Sequence, residues 1–65
     1  MPSTAIRSFA YDADREQLMI EFITGRRYRY AGVPSKVADA MRKASSKGGF
    51  FNRRIRDRYP FEREA

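Results

Sequence analysis

The chain has 65 residues and a formal charge of +6, is 42% hydrophobic, and contains five Phe and four Tyr but neither Cys nor His. A chain this short forms one domain and buries only about 60% of the surface its unfolded form exposes. Disulfide staples and the commonest zinc ligands are excluded, while the aromatic content is too high for a disordered basic tail. No apolar run approaches the roughly 18 residues of a bilayer span, and "MPSTAIRSFAYD" has no apolar signal-peptide core. The expectation is a soluble, cytoplasmic protein with no membrane partner.

The first segment, "TAIRSFAYD" (4–12), is rich in β-branched and aromatic residues and alternates Ala5, Arg7, Phe9 and Tyr11, which suits a strand. "DADRE" (12–16) has turn chemistry, because Asp side chains bond nearby amides. In "QLMIEFI", Leu18, Ile20 and Phe22 point one way and Met19, Glu21 and Ile23 the other, which predicts a half-buried second strand. Thr24 and Gly25 give a tight connection into "RRYRYAG", a third strand with Tyr28 and Tyr30 on one face and Arg27 and Arg29 on the other.

Gly32 and Pro34 end the sheet, Pro34 suits the first turn of a helix, and Ser35 is available as its cap. Val37, Met41 and Ala44 then recur at helical spacing, with a small-residue flank of Ala38 and Ala40. After a break at 45–49, "KGGFFNRRIRDRY" reads as a second helix that Pro60 stops. The predicted fold is α+β, a three-stranded antiparallel β-meander followed by two short helices packed on one face. It forms one domain over 1–65, with an ordered core at about 3–60 and a frayed tail at 61–65.

"YDADREQLMIEFITGRRYRYAGVP" followed by "ASSKGGFFNRRIRDRYP" resembles the KTSC domain, named for the C-terminal domain of some lysyl-tRNA synthetases. The most specific parts are Tyr28-x-Tyr30 with Gly32, Val33 and Pro34, and the block from Ser46 to Tyr59 that includes Phe51, Asn52 and Ile55. The resemblance implies a domain found alone in small bacterial and phage proteins or fused to the synthetase, where that association suggests RNA binding. It brings no catalytic residues.

The charge is unevenly placed. Residues 1–25 hold two basic and four acidic side chains, whereas residues 26–65 hold twelve basic and four acidic, which points to a polyanion approaching one side. An enzyme is not expected, since the usual general base and thiol nucleophile are missing. Nor is a cofactor or metal: Asp12, Asp14 and Glu16 begin like a calcium loop, but the sharp-turn Gly and the closing bidentate Glu are absent.

Stepping about 100° per residue along the second helix places Phe51, Ile55 and Tyr59 in one stripe, Arg54 and Arg58 on one shoulder and Arg53 and Arg56 on the other side. Asp57 is spaced to pair with Arg53 or Arg54, and Phe50 lies off the stripe, as a staple at the helix start or a base-stacking ring. Free amides of Gly48 and Gly49, with Lys47 beside them, suit one phosphate. Tyr28 and Tyr30 read as core in preference to a stacking platform, which leaves Arg27 and Arg29 on the open face of the sheet.

The expected function is a non-enzymatic nucleic-acid-binding module, RNA before DNA, with phosphate contacts from Arg53, Arg54, Arg56, Arg58, Lys47 and Lys43, extended by Arg27 and Arg29. The alternative is an adaptor domain that recognises an acidic protein surface, with Met19, Ile23 and Phe9 joining the interface and the chain monomeric or weakly dimeric.

Overall fold

The computed structural model describes residues 6–64. The elements run in the order β1 (Ile6–Asp12), β2 (Gln17–Phe22), β3 (Arg27–Ala31), α1 (Ser35–Lys43), α2 (Lys47–Arg54) and β4 (Phe61–Arg63). The strands form one antiparallel sheet in the order β1-β2-β3-β4. The α+β class and the meander hold, but the sheet has four strands: the expected frayed tail supplies β4, because Phe61 has two aromatic rings to pack on and Glu62 a cation to meet.

Local chemistry sets each turn. Asp12 Oδ1 accepts the amides of Asp14 and Arg15, folding the first hairpin loop through an Asx turn that ends at Glu16 with φ 54°. In the second hairpin Gly25 donates to the Phe22 carbonyl and takes φ 93°, a backbone state open to glycine at no steric cost.

The register of β1 departs from simple alternation. Its pairing with β2 shifts between Ile6 and Ser8, so one extra residue, Arg7, is accommodated as a bulge. Ile6 therefore joins Phe9 and Tyr11 against the core, where strict alternation would have sent it outward. Thr4 and Ala5 of the expected first strand lie outside the described residues.

Both helices cover one face of the sheet. Leu18, Ile20, Tyr30, Val33, Met41, Phe50, Phe51 and Ile55 form one buried cluster, and Ala38 is also fully buried. Val33 is fixed at both backbone groups: its amide donates to the Glu16 carbonyl, and its own carbonyl accepts the Tyr11 hydroxyl at 2.6 Å. Pro34 sits just before α1 as its cap residue, one position earlier than expected, and its carbonyl accepts the amides of Val37 and Ala38.

The second helix, ending at Arg54, stops five residues sooner than the wheel assumed. Ile55 leaves helical geometry at φ −118°, and the Phe51 carbonyl accepts the amides of both Ile55 and Arg56. The chain then turns so that the Pro60 carbonyl can accept the Ala31 amide and start β4. Phe50 is 8% exposed and belongs to the core, so neither a terminal staple nor a free stacking ring describes it. Ala40 faces solvent, leaving Ala38 as the small residue that lies close on the sheet.

Two predictions follow from this core. Ile55→Ala removes a fully buried side chain at the end of α2, and is expected to lower unfolding free energy by about 2–5 kcal/mol in urea titration. Burial raises the Tyr30 hydroxyl above the ordinary 10.0, with Tyr28 adding to the shift and Arg56 opposing it. The folded state then keeps a proton that the unfolded chain begins to release near pH 10.0, so stability is complete below that pH and declines as pH climbs through the raised value. Urea midpoints measured at pH 9 and 11 are expected to differ in the native chain and to differ less in Tyr30→Phe, where Tyr11, raised likewise by burial, still contributes.

Candidate nucleic-acid interface

The arginines singled out in the sequence do not form one surface. Arg27 and Arg29 lie on the sheet face opposite the helices, whereas Arg53 and Arg54 occupy the last turn of α2 and Arg56 and Arg58 the turn beyond it. Arg29 is moreover already engaged: its guanidinium donates to Glu62 and to Glu64, each at 2.5 Å. Those two carboxylates raise the pKa of Arg29, the hydrogen bond to Glu62 contributing most. Arg27 pairs across the strands with Glu21 and shares a shallow hollow with Glu21 and Glu64. Acidic neighbours therefore make this face a poor polyanion surface.

The expected phosphate cradle at the start of α2 is also occupied. Ser46 Oγ accepts the Gly49 amide at 3.1 Å and so caps the helix. Lys47 turns back and donates to the carbonyls of Arg42 at 3.0 Å and Ala44 at 2.7 Å. Its ammonium thus closes the carbonyl end of α1, where a cation is favoured by the helix dipole. Gly48 is half-buried in the first turn, and the Arg53 guanidinium lies over Gly49, 3.4 Å from where a Cβ would stand.

A third grouping had no single signal in the sequence. Lys36, Val37 and Ala40 of α1 face Phe50, Arg54, Arg58 and Tyr59 across a groove of about 260 Å³. Three cations and no acid line it, and the Arg54 guanidinium stands over the Phe50 ring at 5.8 Å. Among the described residues, Lys36, Arg54 and Arg58 enter no ion pair. Lys43 closes α1 as an exposed cation, and Arg56 donates to Asn52 Oδ1 at 3.4 Å. Asp57, past the helix end, pairs with neither Arg53 nor Arg54 and contributes instead to the field at the Tyr30 hydroxyl.

Sequence reasoning missed Lys36 because, apart from Lys43 at its end, it read α1 for its core-facing residues. Its spacing of four from Ala40 was the available clue: a long cation one turn from a small residue leaves room beside it. The motif tyrosines are structural. Tyr30 is buried, Tyr28 is half-buried, and their rings are stacked at 6.5 Å. Gly32 takes φ 75° to turn the chain out of β3 into Val33 and Pro34, and Tyr59 packs against the core.

The molecule is thus a small two-layer α+β domain whose helical layer carries a groove lined by cations and no acid. The family model of the KTSC domain matches residues 2–59, and the chain belongs to that family. It is 40% identical over 52 residues to an uncharacterized protein of Stutzerimonas stutzeri, covering 80% of this chain and 73% of that one. A lysine–tRNA ligase of Nostoc punctiforme is 37% identical over 59 residues, which are 91% of this chain and 10% of the ligase. The crystal structure of a KTSC domain protein from Yersinia pestis superimposes with a TM-score of 0.88 at 33% identity, covering 100% of this chain and 92% of that one.

Lys47→Met is expected to lower stability by about 1 kcal/mol, read as a reduced urea midpoint, because it leaves the last carbonyls of α1 without their cation.

Proposed function

We propose that the domain binds nucleic acid, RNA before DNA, through phosphate contacts made by Lys36, Arg54 and Arg58 around the helical groove. Arg53, Arg56 and Lys43 supply flanking charge. The observation that carries this reading is the groove itself, in which three cations converge with no acid in the lining and, among the described residues, no ion-pair partner. A phosphate approaching it displaces no internal salt bridge, whereas one approaching Arg29 must compete with two carboxylates already in place. The half-buried Val37 and Tyr59 in its lining lower the local dielectric and strengthen each charge contact. Kinship with lysine–tRNA ligases makes RNA the first polyanion to test, although this chain spans only a tenth of those proteins. The role is one of binding, with no residue assigned to catalysis and no cofactor assigned.

A second reading is favoured by Ile23, which is 62% exposed at the tip of the second hairpin. In that reading the domain is an adaptor whose cations meet an acidic protein surface while Ile23 adds an apolar contact.

Titration with a short RNA separates the two. If the groove cations neutralise about three phosphates, affinity falls roughly 20- to 40-fold between about 50 and 200 mM salt. Lys36→Gln, Arg54→Gln and Arg58→Gln are each expected to weaken binding and to reduce the salt slope by about 1. Lys47→Met and Arg27→Gln are expected to leave both unchanged. Failure to bind RNA or DNA at low salt, with poly-glutamate bound and perturbing Ile23, would replace the first reading with the second.

A further inference from the structure

The outer edge of β3 holds a recognition site that the chain fills with its own last residues. Three kinds of contact define it. The backbone of β3 pairs with an antiparallel segment in the register Tyr30 to Phe61, Arg29 to Glu62 and Tyr28 to Arg63, bracketed by bonds from Ala31 to Pro60 and from Glu64 to Arg27. Arg29 clasps the carboxylates two residues apart in that segment, Glu62 and Glu64. Phe61 lies on the two motif tyrosines, with ring centroids 5.3 Å from both. Backbone pairing, a charge clasp and an aromatic shelf together recognise an extended segment of the pattern aromatic, acid, any residue, acid.

The occupant is loosely held. The strand Phe61–Arg63 is exposed at every position, Phe61 remains 52% exposed, and the segment lies beyond residues 2–59 that define the family. Ile55 and Tyr59 stay packed in the core, so the segment is free to pivot at Pro60, and residues 60–64 reach at most about 17 Å when extended. The chemistry that holds the segment is unchanged if the segment arrives from another molecule.

We propose that the β3 edge accepts Phe61–Glu64 of a second copy of this chain, so that two copies join by exchanging β4. The exchange is isologous, each copy giving and receiving the same segment, and it creates no contact that the single chain lacks. In cis the tether supplies a local concentration on the order of millimolar, which favours the closed monomer in dilute solution. Repulsion between Arg29's position and the tail removes that advantage and exposes the exchange.

The test uses two full-length variants, Arg29→Glu and the double variant Glu62→Lys/Glu64→Lys. Each is mismatched within itself, but in a mixture both exchanged pairings are matched. Sedimentation of the equimolar mixture is expected to show a one-to-one heterodimer at least tenfold tighter than self-association of either variant. The chain carrying all three substitutions is expected to return to a monomer, its cis clasp rebuilt with reversed sign. A mixture that associates no more tightly than its components, with both folded by circular dichroism, overturns the proposal. If either variant fails to fold, the native chain is titrated with a synthetic peptide of residues 59–64. Shifts of the chain's own Phe61 to Glu64 amides, displaced by the peptide, support the site, and their absence at about 10 mM peptide, above the local concentration of the tail, overturns it.

Discussion

The architecture depends on the seat of Phe51. Its ring meets Phe22 of β2 and Tyr30 of β3 edge-on, at 5.5 and 5.4 Å, and so locks α2 across the middle of the sheet. That single placement has consequences in both directions along the helix. One residue earlier, Phe50 is turned toward α1 and not toward solvent, and it brings Arg54 above it. Four residues later, Ile55 is drawn fully into the core with its amide on the Phe51 carbonyl, and the helix ends there. The groove between the helices is what remains between a residue bound to the sheet and a residue bound to α1.

Charge in the chain is divided by the same geometry. Several cations are engaged within the chain: Arg15 with Asp12, Arg29 with Glu62 and Glu64, Arg42 with Asp39, and Lys47 with the end of α1. These contacts are exposed and individually contribute little, about 0.2–1 kcal/mol for a surface ion pair. Their larger effect is to select which positive charges stay uncompensated. Pairing on the sheet side occupies Arg29, while Lys36, Arg54 and Arg58 share a lining that holds no acid.

The first three strands and both helices were legible because alternation and helical spacing are properties of neighbouring residues, and in Leu18, Ile20 and Phe22 they coincide with burial. What was not legible depended on contacts between distant segments. A helical wheel assumes one packing surface, but α2 has two, the sheet and α1, so its apolar arc is wide enough to include Phe50. The bulge at Arg7 and the strand at Phe61 follow from pairing partners, and a three-residue strand containing two charges carries no periodic signal. The candidate site divided in the same way: Arg54 and Arg58 were visible as a helix shoulder, whereas Lys36 joins them only across space. Lys47 and Gly49 were misread because their capping roles consume the groups that made them attractive as ligands of a phosphate.

A sheet covered on one side must still present its other side to water, and here that constraint is met by polar pairing in preference to a second layer. Glu21 beside Arg27, and Arg29 beneath Glu62 and Glu64, give the open face alternating charge, which resists stacking against a second apolar surface. The same carboxylates repel a phosphate backbone. A domain this small has only two broad faces, and the groove lined by cations without an acid lies on the other one. The acids of the last strand therefore set a contrast between the two faces, mixed charge on the sheet and an acid-free cationic groove on the helices.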